Sequence, residues 1–235
     1  MIAIIGAMAK EVAALLELLD NPQSKTLGAR TFYEGQIKGF PVVITVAGIG
    51  KVNASITTTL ICEHYHPQLI INVGVAGGVN QVLKTLDIVI GTTVGYHDVD
   101  LTIDGNQIGE LPDLPRFFSS DEKLVNGLKD FQLKNRKVHC GTILTGDQFV
   151  TDFDKVESLI NNHYQNQNIM AVDMESAAIA HVAYTFGIPF IIVRSISDLI
   201  GSTDQLDEYS NFVEEACLNA TEVTKHILSE IEKKR

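Results

Sequence analysis

Apolar residues come in two rhythms along this chain. Short aliphatic runs bounded by glycine, proline or charge predict buried strands at 2–6, 69–73, 87–94, 138–144, 169–172 and 190–197. Two further runs, 32–37 and 41–47, flank Gly39 and read as a hairpin. Helical spacing appears at 10–19, where Val12, Leu15, Leu16 and Leu19 share a face. It returns in a Thr-rich stretch at 52–64, at 121–133 and at 174–186, the last with Asp173 as its N-cap. A long helix at 209–234 closes the chain, and its basic last turn suits the helix dipole. Residues 96–118 are polar, carry prolines and keep no period, so they predict a long loop of the functional or interfacial kind. Strands interleaved with crossover helices point to an α/β fold with a mixed central sheet.

The chain has 235 residues, enough for one domain with a well-buried core, and no repeat or low-complexity segment divides it. A net charge of −11 without a basic cluster argues against a nucleic-acid partner, because phosphates require Lys and Arg. No apolar run approaches the roughly 18 residues of a membrane span, and no basic segment precedes the first apolar run as in a signal peptide. Cys62, Cys140 and Cys217 are odd in number and far apart, so they read as reduced thiols. A cytoplasmic enzyme without metal is the expectation. His97 with Asp98 and Asp100 is too sparse a donor set for a metal site.

The candidate chemistry lies in three acids. The apolar runs at 2–6, 169–172 and 190–193 lead to Glu11, Glu175 and Asp198 respectively. Ligands of open α/β sheets bind beyond the carboxyl ends of the strands, so three acids delivered there suggest acid–base work on a small molecule. Singly, each has an ordinary reading. Glu11 fits a solvated helical acid, Glu175 an acid in the first turn of a helix, and Asp198 a capping aspartate. Arg194, inside an apolar strand, needs a partner, and those acids are candidates. Gly74-Val75-Ala76-Gly77-Gly78 at a strand end lets backbone approach a ligand, or simply turns. Gly48-Ile49-Gly50 opens a helix as a tight turn or a pocket wall. Asn53 stands where a dinucleotide fingerprint would carry its third glycine.

These segments together resemble a known family. Gly6-Ala7-Met8 followed by Glu11-Val12, Val46-Ala47-Gly48-Ile49-Gly50-Lys51-Val52-Asn53-Ala54, Asn72-Val73-Gly74-Val75-Ala76-Gly77-Gly78, Val172-Asp173-Met174-Glu175-Ser176-Ala177-Ala178-Ile179-Ala180 and Val193-Arg194-Ser195-Ile196-Ser197-Asp198 are similar to the 5′-methylthioadenosine/S-adenosylhomocysteine nucleosidases. That family is a branch of the purine nucleoside phosphorylase superfamily. The resemblance runs end to end. It implies a single α/β domain over 1–235, a twisted mixed sheet surrounded by helices, and a homodimer. It also implies hydrolysis of the N-glycosidic bond to adenine and a 5-thioribose product, with no cofactor and no metal.

Roles follow residue by residue from the resemblance. Asp198 would protonate adenine N7, with Ser197 orienting it. Glu11 would activate water, and Glu175 would hold the ribose hydroxyls. Met174 and Arg194 would line the ribose. Phe149 would stack on adenine while the Val150 backbone reads its edge, near Gly77 of the glycine strand end. Met8, Ile49 and Tyr209 would surround the 5′-thio group. Leu101 and Pro112, in the 96–118 loop, would reach the neighbouring subunit's site. Three departures stand out: Val75 replaces a serine that helps hold the water, Asp104 and Asn106 replace frequent aromatics in the crossing loop, and Asp173 replaces a glutamate. The alternatives are a phosphorolytic purine nucleoside phosphorylase, a futalosine-type nucleosidase and a non-catalytic nucleoside-binding module.

Overall fold

The computed structural model describes residues 1–232. In chain order its elements are β1 (Ile2–Gly6), α1 (Ala9–Leu16), β2 (Asp20–Leu27), β3 (Arg30–Ile37), β4 (Phe40–Val46), α2 (Lys51–Tyr65) and β5 (Leu69–Gly78). They continue with β6 (Ile88–Tyr96), a single 3₁₀ turn at Thr102–Asp104, β7 (Phe117–Ser119), α3 (Glu122–Leu128) and β8 (Val138–Thr145). The last are α4 (Phe153–His163), β9 (Ile169–Asp173), α5 (Ser176–Thr185), β10 (Phe190–Leu199) and α6 (Gln205–Glu232).

One mixed sheet holds all ten strands in the order β10-β6-β8-β9-β5-β1-β4-β3-β2, with β7 added to β6. It is also partly closed. β10 pairs with both β6 and β5, and β9 pairs with both β8 and β5, so five strands form a ring. The central strands are largely apolar because both of their faces are covered. In β1, Ala3 and Ile5 point into the core beneath α2 and α5, and Ile2 and Ile4 into the core beneath α1 and α6. β10 divides the same way, with Phe190 and Ile192 on one side and Ile191 and Val193 on the other.

Several elements differ from the expectation. The glycine run after Val73 is the end of a strand, as expected, and not a turn: β5 continues through it to Gly78, and Gly74, Gly77 and Gly78 are not among the glycines with positive φ. β2 was hidden because it is an exposed polar edge strand, with Pro22 inside an irregularity of its pairing to β3. α4 was hidden because only Phe153, Val156, Leu159 and Ile160 of its face pack inward. α1 stops at Leu16 ahead of Asn21, whose φ is 51°. α3 stops at Leu128, and the chain then turns through Asn135 toward β8. α5 starts at Ser176, so Glu175 is its N-cap rather than a first-turn residue, although the Asp173 carboxylate does accept from the Ser176 N–H. The 96–118 loop contains the 3₁₀ turn and feeds β7. The basic last turn expected for the final helix, residues 233–235, lies outside the described residues.

Candidate active site

Glu11 enters the site from the first turn of α1. Its Oε2 accepts from the Ala7 and Met8 N–H groups at 2.6 and 2.9 Å, and its Oε1 from the Val75 N–H at 3.1 Å. It is 3% exposed, so the solvated reading fails. Burial pushes its carboxyl up from the ordinary glutamate range, against the pull of Arg194 and the three backbone donors. The glycines of β5 make room for it: a Cβ on Gly74 would lie 2.7 Å from Glu11 Oε1. A Cβ on Gly77 would lie 3.1 Å from the Ile200 side chain and 3.3 Å from Asp198 Oδ2. Clearance for Glu11 at Gly74, and for Ile200 and Asp198 at Gly77, explains these glycines, where left-handed backbone does not.

Asp198 sits on β10 just past an irregularity in its pairing with β5 between Ile196 and Asp198. Such a bulge re-aims a side chain. Asp198 Oδ1 accepts from Ser197 Oγ at 2.6 Å and Oδ2 from Gln205 Nε2 at 2.8 Å. Burial raises its proton affinity, Glu208 adds to that, and the Ser197 and Gln205 donors oppose it. Glu175, buried at the start of α5, accepts from the Gly50 N–H at 2.9 Å. Burial and the neighbouring Asp173 push its carboxyl up. The Gly48–Gly50 turn is thus a pocket wall as well as a turn, with φ of 85° and 94° at its two glycines.

Arg194 is 1% exposed and ion-paired to Asp173 through Nη2 at 2.8 Å, with Nε on the same oxygen at 2.9 Å. Its Nη2 also donates to Asn72 Oδ1 at 2.6 Å. The partner of the buried arginine is therefore Asp173 and not one of the three acids. Asp173 is a hub that also accepts from Thr145 Oγ1 at 2.6 Å, so the aspartate at this position has a full set of partners.

One cavity joins these groups. Of the residues expected in the site, Met8, Glu11, Ile49, Gly77, Phe149, Val150, Met174, Glu175, Ser197, Asp198 and Tyr209 all line it. Phe149 meets Tyr209 edge-on at 5.5 Å between ring centres, and Tyr209 OH contacts Met8 Sδ at 3.6 Å. Three expected residues are not on its walls. Arg194 is sealed behind Glu11 by its bonds to Asp173 and Asn72. Leu101 is half-buried and Pro112 exposed, both outside the cavity of their own chain. At the rim, Lys51 binds Asp98 at 2.6 Å while its N–H donates to Asp147 at 2.8 Å, fixing the Ile49–Gly50 wall. Asp98 is committed there, and among the described residues no group of three or more His, Cys, Asp or Glu is placed to hold a metal ion.

The motif readings did not reach Gln205, Asn72 or Gln148. Gln205 carried no signal, being one polar residue in a polar stretch. Asn72 lay within the motif at 72–78, but its bond to Arg194 spans 122 residues of sequence.

A ten-stranded mixed sheet, a partly closed ring and a cavity walled by buried carboxyls define a nucleoside phosphorylase-like protein. The chain belongs to the phosphorylase superfamily, whose family model matches residues 1–229. Within it, the chain is 38% identical over 231 residues to a 5′-methylthioadenosine/S-adenosylhomocysteine nucleosidase from Desulfotalea psychrophila, covering 98% of this chain and 97% of that one. A nucleosidase of the same name from Colwellia psychrerythraea, solved in complex with adenine, superposes with a TM-score of 0.91 at 36% identity, over 97% of this chain and 94% of that one. Another from Neisseria meningitidis, in complex with methylthio-immucillin-A, gives a TM-score of 0.91 at 33% identity, over 97% and 98%.

Proposed function

We propose that this chain hydrolyses the N-glycosidic bond of 5′-methylthioadenosine and S-adenosylhomocysteine, releasing adenine and the 5-thioribose product. The observation that carries hydrolysis over phosphorolysis is the charge of the cavity. Its walls include Glu11, Asp173, Glu175 and Asp198, and among the described residues no Lys or Arg side chain lines it. A phosphate dianion would meet carboxyls where it needs cations. Water and a developing sugar cation meet what they need.

In this reading Asp198, holding its proton by burial, gives it to adenine N7 as the C1′–N9 bond breaks. The electron pair of that bond leaves with the base. Glu11 takes a proton from the water that bonds to C1′. Its raised proton affinity suits a base that must ionise yet still bind that proton. Glu175 accepts from the ribose hydroxyls, and negative charge around the ring stabilises the oxocarbenium-like state. Val75 offers the water no hydroxyl, but its N–H holds Glu11 in place. Phe149, 48% exposed, is free to stack on adenine, and Met8, Ile49 and Tyr209 offer apolar surface to the sulfur. A purely binding module would have no use for three buried carboxyls of raised proton affinity around one cavity.

The same reading includes a homodimer in which the 96–118 loop reaches the neighbouring site. What supports it is exposed apolar surface: Ile103 in that loop is 93% exposed, and Val52 and Ile56 lie one turn apart on α2. A cytoplasmic setting fits the three unpaired thiols. Among the described residues no helix is long and apolar enough to cross a membrane.

Chromatographic detection of adenine from 5′-methylthioadenosine and S-adenosylhomocysteine, with and without phosphate, tests the activity. Adenine should appear at equal rate in both. Phosphate dependence, or turnover of a futalosine-type substrate alone, would overturn the assignment. Glu11→Gln should lose about 10²–10⁴-fold in kcat while staying folded.

A further inference from the structure

Gln205 opens α6 and is 5% exposed, a long way to bury a primary amide. All of its polar atoms are engaged. Nε2 donates to Asp198 Oδ2 at 2.8 Å and to the Val150 carbonyl at 2.9 Å. Oε1 accepts from the Gly201 N–H at 3.2 Å. The orientation of the amide is dictated by chemistry, since a backbone N–H only donates and a carbonyl oxygen only accepts.

We propose that Gln205 is the positioning residue of the leaving-group acid: its carboxamide ties Asp198 to the Val150 backbone and so holds the proton donor in register with the segment that reads the base. This rests on the nucleosidase reading above. Ser197 engages Oδ1 and Gln205 engages Oδ2, so the carboxyl cannot rotate about its Cβ–Cγ bond without losing a donor. The side of the group facing the cavity is left for the proton that is transferred. Once that proton has gone to the base, both donors remain on the carboxylate, where a charge-assisted hydrogen bond is strongest. One amide thus sets both the aim of the acid and the stability of its spent form. Gly201, whose φ is 82°, turns the chain between β10 and α6 so that the amide can reach back. Glu208 secures the same turn by accepting from the Leu199 N–H at 3.0 Å and from Ser202 Oγ at 3.0 Å.

The test compares wild type, Gln205→Met, Asp198→Asn and the double variant, reading adenine release from 5′-methylthioadenosine across pH. Gln205→Met keeps length and removes the donors. Its kcat should fall about 10- to 100-fold, the size of one hydrogen bond to a charged group. The alkaline limb of kcat should move to higher pH, because a donor that favours the ionised acid is gone. Glu208 and Tyr209 on α6, and Glu11, Glu175 and Asp173 around the cavity with Arg194 behind it, also shape that profile. The double variant isolates the effect of Gln205 through Asp198: it should be no slower than Asp198→Asn alone. Wild-type kcat in Gln205→Met, or the same fold-loss in both backgrounds, overturns the proposal. Should Gln205→Met fail to fold, Gln205→Glu retains the size and the Gly201 bond, and the same comparison applies. Absence of adenine from the wild type would bring down the nucleosidase reading itself, whereas an active wild type with an indifferent Gln205 brings down only this inference.

Discussion

Gly74→Ala puts the arrangement around Glu11 under the sharpest test. Gly74 lies on β5 directly beside Arg194 of β10, in a backbone conformation open to any residue. The perturbation is therefore purely one of space. The new Cβ would sit 2.7 Å from Glu11 Oε1, 3.1 Å from its Cδ and 3.3 Å from Arg194 Nη1. That is short of ordinary contact with the oxygen by about 0.7 Å. The strand is held by β10, which pairs Arg194 with Gly74, and by β1 as far as Asn72, so the carboxylate must move. Moving it breaks the 3.1 Å bond from the Val75 N–H and strains those from Ala7 and Met8. A misplacement approaching 1 Å costs about 10²-fold in rate, or about 2.7 kcal/mol of barrier. Overpacking costs the fold about 1–3 kcal/mol, less than a typical domain's reserve. Steady-state adenine release and a thermal melt measure the two effects separately. A Gly74→Ala protein that melts a few degrees lower yet keeps kcat within threefold of wild type would refute the claim that this glycine exists to seat Glu11. Glu11→Gln is the reference, since it keeps the size of the side chain and adds no bulk to β5, while it removes the charge and one of the two oxygens that accept from Ala7, Met8 and Val75.

Asp198→Asn should stay folded while adenine release falls by about 10²–10⁴-fold; near-normal release would remove Asp198 from the acid role. The raised folded-state proton affinities of Glu11, Glu175 and Asp198 mean that the native state binds more protons than the unfolded one above the ordinary carboxylate range. Their contribution to stability is full below that range and is lost as pH rises through the folded values, so the wild-type melting temperature should drop over that interval, and less so in Asp198→Asn. Arg194→Met strips the partner from buried Asp173 and should cost about 3–5 kcal/mol in chemical denaturation, far beyond a surface substitution. Gly127→Ala, inside α3 with open space around its Cβ, should stabilise by about 0.5–1 kcal/mol in the same assay with activity unchanged.

What local pattern could carry, it carried. β1, β5, β6, β8, β9 and β10 read as largely aliphatic runs because strands covered on both faces admit polar residues only where a partner is at hand, as at Asn72, Asp173 and Arg194. The acids Glu11, Glu175 and Asp198 were visible as polar residues following such runs, and the motifs around them were enough to place the family. Elements whose stability comes from neighbours rather than from their own pattern stayed hidden: β2 is held by pairing with β3, and α4 by one narrow apolar stripe.

The sequence by itself determined which residues could do acid–base chemistry and which strands would deliver them. Only the tertiary structure decided what those groups are. Glu11 alone reads as solvated, and it is buried because α1 turns its carboxyl back onto the backbone of Ala7, Met8 and Val75. Arg194 reads as a partner for the strand-end acids, and it is committed to Asp173 and Asn72, leaving the cavity walls with carboxyls and, among the described residues, no Lys or Arg. The glycines of β5 read as a backbone that approaches a ligand or as a turn, and Gly74 and Gly77 leave room for the side chains of Glu11, Ile200 and Asp198. The sequence is silent about Gln205, and the fold brings it to the acid. The physical reason is common to all four: a buried charge or hydrogen bond is defined by its partner and its desolvation. Both depend on which distant segments the fold brings together, and neither leaves a periodic trace along the chain.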